Sequence, residues 1–320
     1  MNALYGKGEI HSSNSIWSPA LQTANKSTIT PLIYDDNYIP FILNYCKENK
    51  ISAIIPLFDI DLPILAKNKK IFNKEGIEVI VSNFKVTQVC NDKYQSYKFL
   101  KKCNIVTPKT FLSKKKVLNA IKNNLLSFPL ILKPRWGTGS ICIYQANSKE
   151  ELEIFYYKIS KEIQNTYLKY ESKLDKEKSI IIQEKIIGKE YGLDVINDLD
   201  KNYVATLVKK KIAMRSGETD HAITEDNPLM RDLGNFISKN LRHISILDVD
   251  VIWTEDGIPV VLEMNCRFGG HYPFSHLAGA NIPLAIVKWL KKEQTTKNLF
   301  EIKYDVEAIK DINPILLNRN

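Results

Sequence analysis

Over roughly the first eighty residues, the apolar positions switch repeatedly between a period of two and a period near 3.6. GEIHSSN (8–14) and TITPLIY (28–34) predict short strands. DDNYIPFILNYCKENK (35–50) predicts a helix, because Ile39, Ile42, Leu43 and Cys46 recur at helical spacing behind capping Asp residues. ISAIIPLF (51–58) predicts an apolar strand, DIDLPILAKNKKIFNKEG (59–76) a helix ended by a left-handed cap at Gly76, and IEVIVS (77–82) the next strand. Strands alternating with helices imply an α/β unit with a parallel sheet. Such units open with a strand and helix joined by a Gly-rich turn, whereas this chain starts within a few residues of its first expected strand. The opening βα unit is therefore expected to be missing, so that a partner chain covers the bare edge or Met1 is not the natural start.

Beyond residue 90 the pattern changes. NDKYQSYKFLKKCN (91–104) predicts a linking helix, and FPLILKPRWGTGSICIYQ (128–145) predicts strand, Gly-containing loop and strand. The segment 150–178 predicts a helix that fades, over 169–178, into a mixed-charge stretch expected to be solvated or a mobile insertion. IIIQEKIIGKEYGLDVIND and YVATLVKKKIAMRSGE predict further strands. NPLMRDLGNFISKNLRHI predicts a helix capped by Asn227 with Pro228 at its first position.

VDVIWTEDGIPVVLEMNCRF (249–268) predicts a hairpin, and it is the most informative segment. With Asp256 and Gly257 as the centre of a two-residue turn, Asp250 lies opposite Glu263, and Asp248 opposite Asn265, all on one face. Val249, Val251, Leu262 and Met264 form an apolar stripe on the other. Opposed carboxylates about 4.5–5.5 Å apart at Cβ repel and need compensation. Magnesium held by Asp250, Glu263 and Asn265 supplies it; so does an ordinary bridge to a cation such as Arg267.

Other segments carry weaker signals. KPRWGTGS (133–140) places Lys133 at a strand end before a small-residue loop whose N–H groups suit phosphate, although such a loop also serves as a plain hairpin turn. QEKIIGKEYGLDV (183–195) sets Glu184 and Glu190 around a turn where backbone can read an adenine edge and a carboxylate can accept ribose hydroxyls; a surface hairpin reads the same. Arg215 stands where a strand gives way to a loop, either clamping phosphate or exposed. His271 and His276 invite a metal reading, but loop histidines satisfied by their neighbours are commoner.

Composition narrows the class. The 320 residues, 44% hydrophobic and 25% charged, suit a globular protein of about two domains. No apolar run approaches the roughly 18–20 residues of a membrane span. The N-terminus lacks a signal-peptide pattern, and the scattered Cys46, Cys90, Cys103, Cys142 and Cys266 form no metal motif, which suggests free thiols in the cytoplasm. Lys and Arg outnumber Asp and Glu by 45 to 36, a formal charge of +9, but they are spread along the chain rather than gathered as a nucleic-acid footprint.

In this order, NDKYQSYKFL, FPLILKPRWGTGS, QEKIIGKEYGLDV, RSGET and DVDVIWTEDGIPVVLEMNCRFGG resemble the ATP-grasp superfamily, in the branch of the carbamoyl-phosphate synthase large subunit and pyrrolysine-biosynthesis-type ligases. SPALQTANKS and ISAIIPLFDIDLPILA resemble that family's N-terminal domain. The resemblance implies a Rossmann-like unit over 1–90, a linker helix over 91–107, a lid over 108–185, a core with the metal site over 186–292 and a tail over 293–320. It implies ATP with Mg2+, for which Mn2+ can substitute, and a carboxylate activated as an acyl phosphate before an amine displaces phosphate. By the same resemblance Lys93 and Lys133 contact phosphates beneath the loop Gly137, Thr138, Gly139 and Ser140. Glu184, Lys185 and Ile186 line adenine, and Glu190 holds ribose; Asp250, Glu263 and Asn265 hold the metal; Arg215 and Arg267 stabilise the transferring group. The family usually has glycine where this chain has Cys142 and His271, which would stiffen the loop and tune the acceptor pocket. The expected partners are a small carboxylate and an amine, with no nucleic acid or membrane, and association as a homodimer. The rivals are a non-catalytic nucleotide-binding module of the same fold and a basic nucleic-acid-binding protein, whose binding would fall steeply with salt.

Overall fold

The computed structural model describes residues 2–137 and 139–316. Two short parallel pairs open the chain: β1 (His11–Asn14) with β2 (Lys26–Ile29), and β3 (Ala53–Ile54) with β4 (Glu78–Val79). Between and after them run α1 (Pro19–Gln22), α2 (Tyr38–Glu48), α3 (Asp61–Lys74) and α4 (Phe84–Asn91). The expected alternation and parallel pairing are present, and Gly76 takes φ +74° just past α3. The strands are shorter than their apolar runs. ISAIIPLF pairs only through Ala53 and Ile54, and Leu57 and Phe58 leave the sheet to stand exposed beside a cavity.

Next comes α5 (Lys93–Lys102), whose cap Asp92 accepts from the Tyr94 and Gln95 N–H groups at 3.0 and 3.2 Å. β5 (Thr110–Phe111), β6 (Leu130–Pro134), β7 (Tyr144–Ala146) and β8 (Ile180–Glu184) form an antiparallel sheet in the order β5-β8-β6-β7. Leu130, Leu132, Ile180 and Ile182 pack there against Val117 of α6 (Lys114–Lys122) and Leu152, Ile159 and Ile163 of α7 (Lys149–Gln164).

The stretch 169–178 is divided: residues 173–178 are mostly exposed, as a solvated stretch is expected to be, but the part before them is packed. It contains α8 (Lys169–Ser172), where Glu171 and Ser172 are buried. Tyr170 stacks on Tyr34 of the N-terminal region at 4.3 Å, and nearby Tyr167 meets Phe58 edge-on at 5.8 Å. Aromatic burial outweighs the cost of ordering these charged neighbours.

Residues 185–188 then lead into a second antiparallel sheet made of β9 (Lys189–Asn197), β10 (Tyr203–Arg215), β11 (Glu218–Thr224), β12 (Ile246–Trp253), β13 (Pro259–Asn265) and β14 (Glu307–Ile309). Its order is β13-β12-β9-β10-β11-β14. Helix α9 (Pro228–Leu241) starts as expected, with Asn227 Oδ1 accepting from the Met230 N–H at 3.1 Å; α10 (Tyr272–Leu277) and α11 (Ile282–Leu290) follow. One sheet face, through Leu193, Val195, Val249, Val251, Val261 and Met264, shares a single core with Leu65, Phe72, Val86 and Leu100 of the preceding region. Each such side chain contributes about 1.5–3 kcal/mol of burial. On the opposite face Lys211, Asp248, Asp250, Glu263 and Asn265 line the cavity, while Ile196, Leu207 and Ile246 pack in a second core with Ile282, Ala285 and Ile286 of α11.

The β12–β13 hairpin reaches the expected site register by a different route. Its loop spans three residues, because Trp253 faces Pro259 and the Thr254 N–H donates to the Ile258 carbonyl. Gly257 sits at φ +76°, as such a loop requires. A bulge at Leu262 then restores the pairing, so that Asp250 faces Glu263 and Asp248 faces Asn265. Leu262 therefore leaves the apolar stripe, and Val261 takes its place.

Candidate active site

The site is built where α5, β6 and the hairpin converge. Asp92 does two jobs: it caps α5, and it takes the Arg135 Nε and Nη2 groups at 2.8 and 2.7 Å. Arg135 follows β6 directly, and the Lys93 N–H donates to its carbonyl at 3.0 Å. This double anchoring holds Lys93 at the start of α5 beside Lys133 near the end of β6. Both reach Glu263: Lys93 Nζ lies 3.1 Å from Oε1 and Lys133 Nζ 3.8 Å from Oε2. Lys93 Nζ also donates to the Gly137 carbonyl, tying the helix to the glycine loop. Burial pushes the Glu263 carboxyl up, but Lys93, Lys133 and Arg267 together overcome it and leave it below the usual range. Burial likewise depresses Lys133, against the pull of Glu263.

These groups line a cavity of about 570 Å³. It brings together Lys93, Lys133, Gly137, Gly139, Ser140, Asp250, Glu263, Asn265 and Arg267, together with Leu57, Phe58 and Tyr167. Thr138 lies outside the described residues. Gly137, Gly139 and Ser140 take φ of +117°, +70° and +55°, and the loop rests against Gly217, where a Cβ would come within 2.5 Å of Ser140 Oγ. Five other candidates do not line the cavity. Glu184 accepts from the Lys109 N–H at 3.1 Å, and Lys185 donates to Gln145 at 2.7 Å. Ile186 is half-buried on the link between the two sheets, and Glu190 is exposed at the start of β9. Arg215 is exposed at the end of β10, paired with Asp220 at 2.8 Å.

The structure adds Lys211, Asp194, Lys209 and Ser275, to which the sequence pattern gave no role. Asp250 pairs with Lys211, and Asp248 receives Arg267 Nη1 at 2.5 Å. His271, a candidate for facing the acceptor side, lines the cavity and is otherwise buried, with its ring between Asp248 and Asp194. Neither ring nitrogen has hydrogen-bond geometry, so these are close contacts rather than hydrogen bonds. Burial depresses His271, but Asp248 and Asp194 together raise it above its ordinary value. The ring covers Gly192, where a Cβ would meet it at 2.5 Å. Asp194 bonds to Lys209, fully buried in β10, and accepts from Ser275 Oγ at 2.6 Å. Against its burial, Lys209 and His271 hold its carboxyl down to about 2. The signal for this pair was available: an acid inside the apolar run GLDVI, and a Lys inside ATLVKK, are rarely buried unless paired.

The donor set suits a divalent cation. Asp250, Glu263 and Asn265 offer the oxygens that magnesium prefers, and Asp248, Asp250 and His271 each present a ligand atom within 4.8 Å of the others. Asp248 Oδ1 is buried without a hydrogen bond. The acids are answered by lysines on flexible stems as well as by Arg267, so the set fits a divalent ion once phosphates take over those lysines.

The pattern of the ATP-grasp domain family matches residues 90–271, and that of the PylC-like N-terminal domain matches residues 2–80. The chain is 22% identical over 299 residues to the carbamoyl phosphate synthase large chain of Thermoanaerobacter sp. (strain X514), covering 90% of this chain and 25% of that one. It spans about a quarter of the length of such relatives. The biotin carboxylase domain of Hydrogenobacter thermophilus 2-oxoglutarate carboxylase, solved with MgADP and bicarbonate, superposes with a TM-score of 0.71 at 18% identity, covering 96% of this chain and 69% of that one. The L-amino acid ligase of Bacillus licheniformis gives 0.67 at 17% identity, over 88% and 69%. N5-carboxyaminoimidazole ribonucleotide synthetase of Thermotoga maritima gives 0.64 at 17%, over 94% and 74%.

Proposed function

This chain belongs to the ATP-grasp domain family, and from that premise we propose that it is an ATP- and magnesium-dependent ligase joining a carboxylate, such as an amino acid, to an amine through an acyl phosphate. One observation carries the reading. Asp250, Glu263 and Asn265 share one hairpin face at a cavity that also collects Lys93, Lys133, a glycine loop and Arg267.

Asp250, Glu263 and Asn265 would hold magnesium, with Asp248 and His271 beside them; when bound, it offsets phosphate charge and polarises the transferring group. Lys93 and Lys133 release Glu263 and take the nucleotide's phosphates as point charges. The loop from Gly137 to Ser140 directs backbone N–H groups onto them and, with the lid above, excludes water. Glu184 to Ile186, on the link between the sheets, receive adenine, and Glu190 receives ribose. Arg267 meets the charge that develops on the transferring phosphoryl group. Arg215, next to the cavity-lining Met214, adds charge at the mouth after leaving Asp220. No protein nucleophile is needed, because the carboxylate oxygen attacks the γ-phosphorus and the amine then expels phosphate.

The test is ADP release from carboxylates crossed with amines, with and without magnesium, in the native protein and in Glu263→Gln. Magnesium-dependent release that hydroxylamine traps as a hydroxamate is expected, and it should fall by on the order of a hundredfold in the variant. ATP binding without ADP release from any pair would instead mark a non-catalytic nucleotide-binding module.

A further inference from the structure

Arg267 does not swing freely in the cavity. Its Nε and Nη2 donate to Asp59 Oδ2 at 3.1 and 2.9 Å. Its Nη1 donates to Asp248 Oδ2 at 2.5 Å and to the Phe268 carbonyl at 3.2 Å. A guanidinium has five N–H donors. Those four bonds leave a single Nη2 hydrogen uncommitted. Two carboxylates on different edges therefore set both the plane and the free direction of the group.

The inner carboxylate is itself braced. Asp248 contacts His271, His271 contacts Asp194, and Asp194 carries Lys209, so acidic and basic side chains alternate from the middle of the sheet out to Arg267. Asp59 ends this row and alone comes from outside the polar sheet and its following loop, 208 residues away in sequence. Local structure gives Asp59 no other task. The cap position of α3 is Ile60, which makes no side-chain cap bond, and Asp59 is only 5% exposed. A carboxylate buried so deeply is costly unless a cation answers it, and Arg267 is the cation that does. Asp59 also adjoins Leu57 and Phe58 in the cavity wall, so the loop that sets Arg267 is one an occupant touches.

We infer that Asp59 is a positioning residue: it fixes the plane of the Arg267 guanidinium so that the remaining Nη2 hydrogen faces the transferring phosphoryl group, linking the N-terminal region to the transfer step. The inference rests on the role given to Arg267 under the proposed function. No bond to Asp59 forms or breaks in the reaction.

Asp59→Asn keeps the size and one acceptor but loses the charge, and Asp59→Glu keeps the charge but moves it by one methylene. Both are compared with the native protein by steady-state ADP release, by MgADP affinity, and in a cycle with Arg267→Lys, with circular dichroism recorded throughout. In Asp59→Asn, kcat should fall by about 10- to 100-fold while the KM for ATP and the MgADP affinity stay within about threefold. Asp59→Glu should recover part of the loss. On the Arg267→Lys background, Asp59→Asn should change kcat by less than about twofold, because the two act as one unit. An Asp59→Asn enzyme with native kcat, or one whose loss multiplies in full on the Arg267→Lys background, overturns the inference while leaving the ligase reading in place. If Asp59→Asn does not fold, Asp59→Glu carries the same comparison, and native kcat there overturns it. A native protein that turns over no carboxylate and amine pair overturns the ligase reading and this inference together.

Discussion

Asp61, the first residue of α3, is half-buried, and desolvation of its carboxyl, with Asp59 nearby, raises it to about 7. Glu171 in α8 is raised by burial to about 6. A carboxyl whose pKa is higher when folded contributes stability that is complete below its ordinary value and is lost as pH climbs through the folded value. These two carboxyls therefore contribute a loss of stability between pH 4 and about 7, opposed by buried His243, whose imidazole is depressed to about 4 and gains stability as pH rises over that range; Asp61→Asn should reduce the loss by on the order of 2 kcal/mol. Urea midpoints across that range measure it, and an unchanged slope refutes the assignment. Residue identity made the acids of the hairpin legible in advance. It could not show that Asp59 would be buried and Asp61 half-buried, because their covering partners come from other elements.

The hairpin and the α8 segment show opposite outcomes at the level of elements. In the hairpin, an expected two-residue turn is a three-residue loop, and the bulge at Leu262 compensates, so the acids still meet on one face. The side-chain period of two makes that face a strong constraint: apolar residues must reach the core, and the local backbone adjusts to let them. In 169–178, charge density argued for solvent, yet Tyr170 and Tyr167 bring the lid against Tyr34 and Phe58. An aromatic contact of this kind is worth about 0.5–1.5 kcal/mol beyond its burial. Tyr170→Ala is therefore expected to raise the KM for ATP by about three- to tenfold with little change in kcat, and to speed proteolysis near residues 137–142. Native kinetics and native cleavage rates in that variant would show that the contact does not hold the lid.

Across the whole molecule, two antiparallel sheets joined by residues 185–188 enclose a cavity whose third wall comes from the N-terminal region. Its acids and bases are largely paired with one another, as in Lys93 with Glu263, Lys211 with Asp250, and Arg267 between Asp59 and Asp248. The remaining basic excess is spread over the surface, often beside acids such as Glu75, Glu153 and Glu301. With basic residues so often paired with acids, the protein is expected not to retain mixed-sequence duplex DNA at about 150 mM salt. A gel-shift titration checks this, and salt-sensitive retention would bring the nucleic-acid reading back. Among the described residues no helix is long and apolar enough to cross a membrane.

The sequence by itself determined the alternation of strand and helix, the apolar and acidic faces of the hairpin, and the residue types needed for a polyphosphate and its cation. All of these follow from local periodicity and side-chain chemistry. Only the tertiary structure decided which cation answers which acid, that His271 backs Asp248 at the cavity wall, and that Asp59 reaches Arg267. Those pairings join elements up to 208 residues apart, and their strength depends on a burial that no local pattern encodes.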